Sequence, residues 1–205
     1  MVYRVLMPFI INDLSAFYLD YTKDILYIEP SNSFEREAVQ STIYDILIDL
    51  LCVLTPIIPH TTSEAYSYLP FKEAEDVMLL DMPKKVDFSY FKEISEALDV
   101  FMDYREIVLK ELEEMRTRGV FGKSLEAIVY LTIKQSDKKH FDLLDVSLER
   151  LLIVSKVITE YGDDIKVRVE KYSGHTCVRC WNVKETLNDD GLCERCAKII
   201  ENIKG

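Results

Sequence analysis

Apolar residues recur at intervals of three to four through the first part of the chain. In VLMPFIINDLSAFYLDYTKDILYI, Phe9, Ile10, Leu14, Phe17, Tyr18, Tyr21, Ile25 and Ile28 fall at helical spacing, and Pro30 closes the run. A second helix is expected within SNSFEREAVQSTIYDILIDLLCVL, with a stripe of Val39, Ile43, Ile46, Leu47, Leu50 and Val53. Asn32, three residues ahead of Glu35, is its expected cap. Pro56 and Pro59 turn the chain, and TTSEAYSYLP reads as a short helix with Thr61 and Glu64 as a capping box and Pro70 as its stop. This grouping predicts part of a helical bundle. EAEDVMLLDMPKKVDFS, residues 73–89, reads as a loop with one short extended piece.

A third long helix is predicted over residues 90–117, with Phe91, Ile94, Leu98, Phe101, Met102, Ile107, Val108 and Leu112 along one stripe. Arg116 and Arg118 lie at its negative dipole end, with Gly119 as the C-terminal cap. The period then changes. EAIVYLTI reads as a strand, KKHFDLLDVSLER as a helix, LLIVSKVIT as a strand and DIKVRVEKY as an alternating strand, a small α+β unit. From residue 173 onward, loops dominate until a last short helix, CAKIIENIK. Three divisions are expected: 1–88, a partial helical bundle; 89–172, the long helix with the α+β unit; and 173–205, a cysteine-rich module.

Composition narrows the function classes. The net charge of −11 excludes a broadly basic nucleic-acid-binding surface, and no DNA partner is expected. The charge is uneven, however: residues 166–205 hold eight Lys/Arg against six Asp/Glu. Local basic spots, not a global field, must make any nucleic-acid contact. No uninterrupted apolar run reaches the ~18–20 residues of a membrane span, so no membrane partner is expected. Pro8 and Asp13 interrupt the start, which lacks the form of a secretory signal. Five cysteines, an odd number with four of them clustered, do not make a disulfide scaffold, and a reducing cytoplasm fits them best.

CVRCWNVKETLNDDGLCERC, Cys177 to Cys196, carries four of those cysteines as two Cys-x-x-Cys pairs twelve residues apart. That spacing is the pattern of a zinc ribbon or knuckle, in which each pair turns two sulfurs toward one ion about 2.3 Å away. With Cys177, Cys180, Cys193 and Cys196 all coordinating, no position is left for substrate, and the single zinc ion is structural. A segment this short has too little core to fold without it. Arg179 and Arg195, each just before the second cysteine of its pair, would help keep the sulfurs ionised. An iron–sulfur cluster is the rival reading, although paired spacing favours zinc. His175 is a spare donor where four thiols already suffice. Cys52 sits mid-helix on an apolar face and reads as a small buried hydrophobe. His60 and Glu64 have no nucleophile nearby, and read as turn packing and cap partner.

Three stretches together resemble the C-terminal third of bacterial-type isoleucyl-tRNA synthetases. LSAFYLDYTKDILY and LTPIIPHTTSEAYSYLP are similar to the helical anticodon-binding domain of class I synthetases for aliphatic amino acids. GKSLEA is similar to the family's junction into a small α+β subdomain, and CVRCW with CERC to its terminal zinc module. The resemblance implies a mainly α fold: an anticodon-binding helical bundle, a small α+β junction subdomain and a C-terminal four-cysteine zinc ribbon or knuckle. It implies a fragment of an ATP-dependent ligase, with the anticodon stem-loop of isoleucine tRNA and the remainder of the synthetase as partners. The HIGH and KMSKS signatures that bind ATP in the family are not in this sequence, nor is an editing domain. ATP and catalysis would belong to other parts of such a protein. The twelve-residue spacer is shorter than the family's usual one, so contacts of that loop do not carry over.

RNA loops are read by stacking bases on aromatic rings and meeting phosphates with Lys or Arg. Trp181, directly after Cys180, is the candidate platform; its alternative is packing against the ribbon's own strands. Arg179, Lys184, Arg195 and Lys198 are candidate phosphate contacts around it. Arg116, Arg118 and Lys123 form a second basic spot, which reads equally as dipole complement and turn chemistry. A zinc-ribbon module that docks a protein partner is the alternative function. A zinc-finger DNA glycosylase is a weaker one, because the acidic first 165 residues offer no DNA channel.

Overall fold

The computed structural model describes residues 2–204. They fall into two compact units: residues 2–30 with 89–204, and Ser31–Phe88. The units therefore cut across a division made along the chain, because the first helix and the long third helix belong to one body.

Helix α1, Val2–Ile28, is continuous but not uniform. Val2–Pro8 and Leu19–Ile28 are α-helical, while Phe9–Tyr18 between them is π-helical. Pro8 has no N–H to give and crowds the preceding turn, and the wider winding begins at the next residue. By length and mean hydropathy (1.2), α1 is long and apolar enough to cross a membrane, which a count of uninterrupted apolar residues did not anticipate. Core helices share those properties. From Phe17 onward α1 is such a helix, burying Phe17, Thr22, Ile25 and Ile28.

The long helix α4, Lys92–Thr117, lies in the same unit. Its buried line is Ala97, Phe101, Tyr104, Val108 and Leu112. Phe91, Ile94 and Ile107, assigned to the apolar stripe from sequence, are exposed. Tyr104 replaces them because its hydroxyl is satisfied: it donates to Asp137 Oδ2 at 2.7 Å and accepts from Lys134 N–H at 3.0 Å. Gly119, at φ 73°, closes α4 as expected. Gly119 N–H reaches Arg116 O (2.9 Å) and Val120 N–H reaches Met115 O (3.1 Å), a Schellman pair.

A three-stranded sheet packs on α4 in the order β2-β1-β3. Strand β1 is Ala127–Lys134, β2 is Lys156–Gly162, parallel to it, and β3 is Lys166–Lys171, antiparallel. Ala127, Val129, Leu131 and Ile133 join Phe17, Phe101, Tyr104, Val108 and Leu112 in one core. Between β1 and β2 the sequence predicts one helix followed by a strand from Leu151. Two short helices are found instead, α5 (Lys138–Phe141) and α6 (Leu148–Leu152). Ser147 caps α6, and Ile153 ends it in the left-handed region at φ 55°. Leu151 and Leu152 thus enter the core from a helix; a short apolar run does not distinguish the two conformations.

The second unit holds α2 (Phe34–Leu54) and α3 (Pro59–Ser67) around Leu51, Cys52, Tyr66 and Val77. Ser33, not Asn32, is the N-cap of α2, and its side chain makes no capping bond. Helix α3 starts earlier than the capping pattern indicates, with Pro59 in its first turn, so Thr61 and Glu64 lie inside the helix and do not form a box. His60 is exposed, while Thr62 is buried and bonded to Thr55 Oγ1 at 3.0 Å. The expected extended piece in 73–89 is a 3-10 turn, Val77–Leu79, whose Met78 N–H is capped by Asp76 at 2.9 Å.

Candidate functional site

The four cysteines come together by local turns. Strand β4 (His175–Thr176) pairs antiparallel with β5 (Val183–Lys184), and the first cysteine pair occupies the loop between them. Cys177 N–H donates to Asn182 O and Trp181 N–H to Cys177 O, both at 2.9 Å, which folds CVRC into a tight knuckle. The second pair follows a turn in which Gly191 takes φ 73°, a conformation that favours glycine. Asn188 Oδ1 accepts Leu192 N–H at 2.8 Å there, and helix α7 (Glu194–Lys204) carries Cys196 in its first turn.

The four sulfurs lie within 4.8 Å of one another, and all four cysteines are buried. Bonds of about 2.3 Å to a tetrahedral ion imply sulfur–sulfur edges of about 3.8 Å. Cys180 Sγ and Cys193 Sγ are 3.8 Å apart. Backbone N–H groups point at the sulfurs, as in Cys193 N–H to Cys177 Sγ at 3.3 Å. Burial pushes the Cys177 thiol up, but amide hydrogens from Cys180, Cys193 and Arg179 outweigh it and bring it to about 6. Burial moves Cys193 and Cys196 the other way, with the neighbouring Cys180 sulfur adding to both. The protein alone favours a thiolate at Cys177 and resists one at Cys193 and at Cys196, a resistance that a cation among the sulfurs would offset. The residues present fit one divalent ion in a closed, structural site. His175 is exposed in β4, outside the converging donors.

The charged residues around the sulfurs have partners within the protein. Arg195 makes a two-pronged pair with Asp24, 2.7 Å on each side, and lies 3.7 Å from Glu29. Arg150 donates to the same Asp24 at 3.1 Å and to Glu29 at 2.7 Å. Burial raises the Asp24 carboxyl, yet Arg195 and then Arg150 outweigh it and hold it below the usual carboxylate range. Arg179 donates to Ile28 O at 2.7 Å, and its other nitrogen lies 3.9 Å from Cys196 Sγ. Ile28 itself is buried among the four cysteines, Leu192 and Ile199. The end of α1 thus forms part of the wall of the four-cysteine module. Asp24, Glu29 and Arg150 were not legible as site residues; the only trace is that Asp24 and Ile28 are four apart on one helix face.

The remaining candidates separate into two groups. Arg116 pairs with Glu113 at 3.3 Å, Arg118, the C-cap of α4, with Glu114 at 3.5 Å, and Lys198 with Glu194 at 2.6 Å, each within one helical turn. Lys184 is half-buried in β5. Lys123, from the turn after α4, has its ammonium 5.4 Å from the centre of the Trp181 ring. Trp181 is 60% exposed and holds φ 62°, a left-handed conformation uncommon for a large side chain. A lysine of the second basic spot thus meets the exposed indole around which the first was expected.

The fold and this site define a class. The family described as anticodon-binding domain of tRNA ligase matches residues 1–131, and the chain belongs to it. Among curated proteins, its similarity is to isoleucine–tRNA ligases. It is 46% identical over 205 residues to that of Acholeplasma laidlawii, which covers 99% of this chain and 23% of the relative. It is 45% identical over 209 residues to that of Onion yellows phytoplasma (98% and 22%), and 41% over 214 residues to that of Lactobacillus acidophilus (98% and 23%). The chain spans under a quarter of the length of these relatives.

Proposed function

We propose that this chain is the RNA-recognising part of an isoleucine–tRNA ligase of class I, and that it binds the anticodon stem-loop of isoleucine tRNA. Along the chain, residues 1–88 supply part of the anticodon-binding helical bundle, of which residues 2–30 pack in one unit with the long helix; 89–172 supply that helix and the junction subdomain, and 173–205 the zinc module. Cys177, Cys180, Cys193 and Cys196 hold one zinc ion, which supplies charge and rigid geometry when bound. ATP binding and aminoacyl transfer belong to other parts of the ligase, whose remainder is the second partner. The cytoplasm is the expected compartment.

The observation that carries the reading is the exposed Trp181, anchored directly after Cys180 with the Lys123 ammonium beside its ring. An unstacked base can lie on the indole, and the ammonium adds attraction for the ring and for an adjacent phosphate. The alternative assignment of Trp181, packing inside the ribbon, is disfavoured by its exposure. Of the basic candidates, Lys123 is the one positioned beside the platform. Lys184 is a second contact, and Lys198, Arg116 and Arg118 contribute at most after exchanging a carboxylate partner for a phosphate.

Filter binding of zinc-loaded chain to isoleucine tRNA tests this. Trp181→Ala is expected to weaken binding by the roughly 1–3 kcal/mol of one base stack, with zinc content unchanged. Absence of any affinity for the tRNA at low salt, with a protein captured in its place, would favour the docking-module reading.

A further inference from the structure

The two arginines of the cysteine pairs face inward. A divalent ion in four thiolates leaves about two negative charges on the centre. Arg179 and Arg195 flank it with two positive charges, and both reach from the module to α1. Arg195 grips Asp24, and Arg179 grips the carbonyl of Ile28. That carbonyl is one of the last four of α1, which have no partner within the helix and sit at its negative end. One planar guanidinium thus spans a helix terminus and a metal-ligating sulfur, a task suited to its fork and not to a point charge. Arg179 is also two residues from Trp181, inside the knuckle whose amide bonds fix the indole's backbone.

We propose that Arg179 is a positioning residue for RNA recognition: it clamps the Cys196 sulfur to the Ile28 carbonyl at the end of α1, and so fixes the Trp181 platform on the body of its unit. The proposal rests on the RNA-binding reading above. It reverses the sequence expectation for Arg179, a phosphate contact, and it ties metal loading to placement of the platform.

The test uses this chain loaded with zinc, in which Trp181 is the sole tryptophan and therefore a clean fluorescent reporter. Arg179→Lys keeps the charge without the fork, and Arg179→Gln removes the charge. Both variants should retain one zinc per chain and show Trp181 anisotropy falling toward that of chelator-treated wild type. Both should bind isoleucine tRNA about tenfold more weakly, a partial loss of the stack. The slope of log binding constant against log salt should stay at the wild-type value.

A phosphate contact gives the opposite pattern. Arg179→Lys would then bind like wild type, Arg179→Gln would flatten the salt slope by about 0.7–0.9, and neither would change the anisotropy. That pattern overturns the proposal, and so does loss of zinc from Arg179→Lys, which would make the residue part of the metal site's own folding. If wild type itself has no affinity for the tRNA, the RNA-binding reading fails, while the anisotropy comparison still decides whether the clamp exists.

Discussion

Tyr104 shows how much one side chain decides. Its ring is 2% exposed, and its hydroxyl holds both the Asp137 carboxylate and the Lys134 amide at the end of β1. The hydrogen bond from Tyr104 is the main cause that holds the Asp137 carboxyl below its usual range, while burial of Tyr104 is the main cause that raises the phenol to about 12. Tyr104→Phe should cost about 1–3 kcal/mol at pH 7, because it removes the hydroxyl that the Asp137 carboxylate and the partly buried Lys134 amide share, and the urea midpoint reads it. A depressed folded carboxyl stabilises above its unfolded value of about 3.9, and that stability is lost as pH falls through the lower folded value. The gap between wild type and Tyr104→Phe should therefore hold from neutrality to about pH 4 and narrow below it. A gap that widens in acid would contradict this assignment. Asp24 obeys the same sign. Asp24→Asn removes the carboxylate that Arg195 and Arg150 share and leaves Glu29 as their common anion, and should cost about 1–3 kcal/mol, between the worth of an exposed and a buried pair, measured the same way.

Among the elements, helix ends set where the candidate residues fall. The Schellman closure of α4 reverses the chain at Gly119 and delivers Lys123 to the Trp181 ring four residues later. A Cβ at Gly119 would meet nothing within 4 Å, so Gly119→Ala carries only the backbone cost of a positive φ. That cost is about 1 kcal/mol, seen as a lower melting temperature with zinc content unchanged. In the smaller unit, Tyr66 does for the 73–76 loop what Tyr104 does for β1. Its hydroxyl accepts the amides of Glu73 (3.1 Å) and Ala74 (3.2 Å). Tyr66→Phe should speed hydrogen exchange at those two amides while leaving α4 untouched.

In the larger unit the four-cysteine module and the end of α1 share one small core, in which Ile28 is buried among the cysteines and Ile199. Chelation of zinc should remove exchange protection from residues 175–204 and from the last turn of α1, residues 24–28. Strand β1, buried between α4 and its two neighbouring strands, should keep its protection. Protection lost from the module alone, with residues 24–28 unchanged, would mean that the helix end does not depend on the metal.

Local chemistry was legible in the sequence wherever the residues that matter are close in the chain. The paired cysteines, the glycine cap of α4, the strands β1 and β3 and the long helices all follow from spacing, because turns and periodic faces are determined within a few residues. The capping pairs of α2 and α3 misled because neighbouring residues compete to start a helix: Ser33 takes the N-cap position beside Asn32, and Pro59 starts α3 two residues ahead of Thr61. What spacing could not supply is the use of a charge. Arg179 and Arg195 look alike beside their cysteines, and only the approach of α1, about 150 residues away in sequence, turns both inward. Trp181 and Lys123 likewise meet only because the turn after α4 and the cysteine knuckle fold onto one unit. The sequence by itself determined which atoms can bind an ion, and the tertiary structure decided which charges are spent inside the protein and which remain for a partner. A charge acts through its distance to other charges, and that distance is set by folding, not by order along the chain.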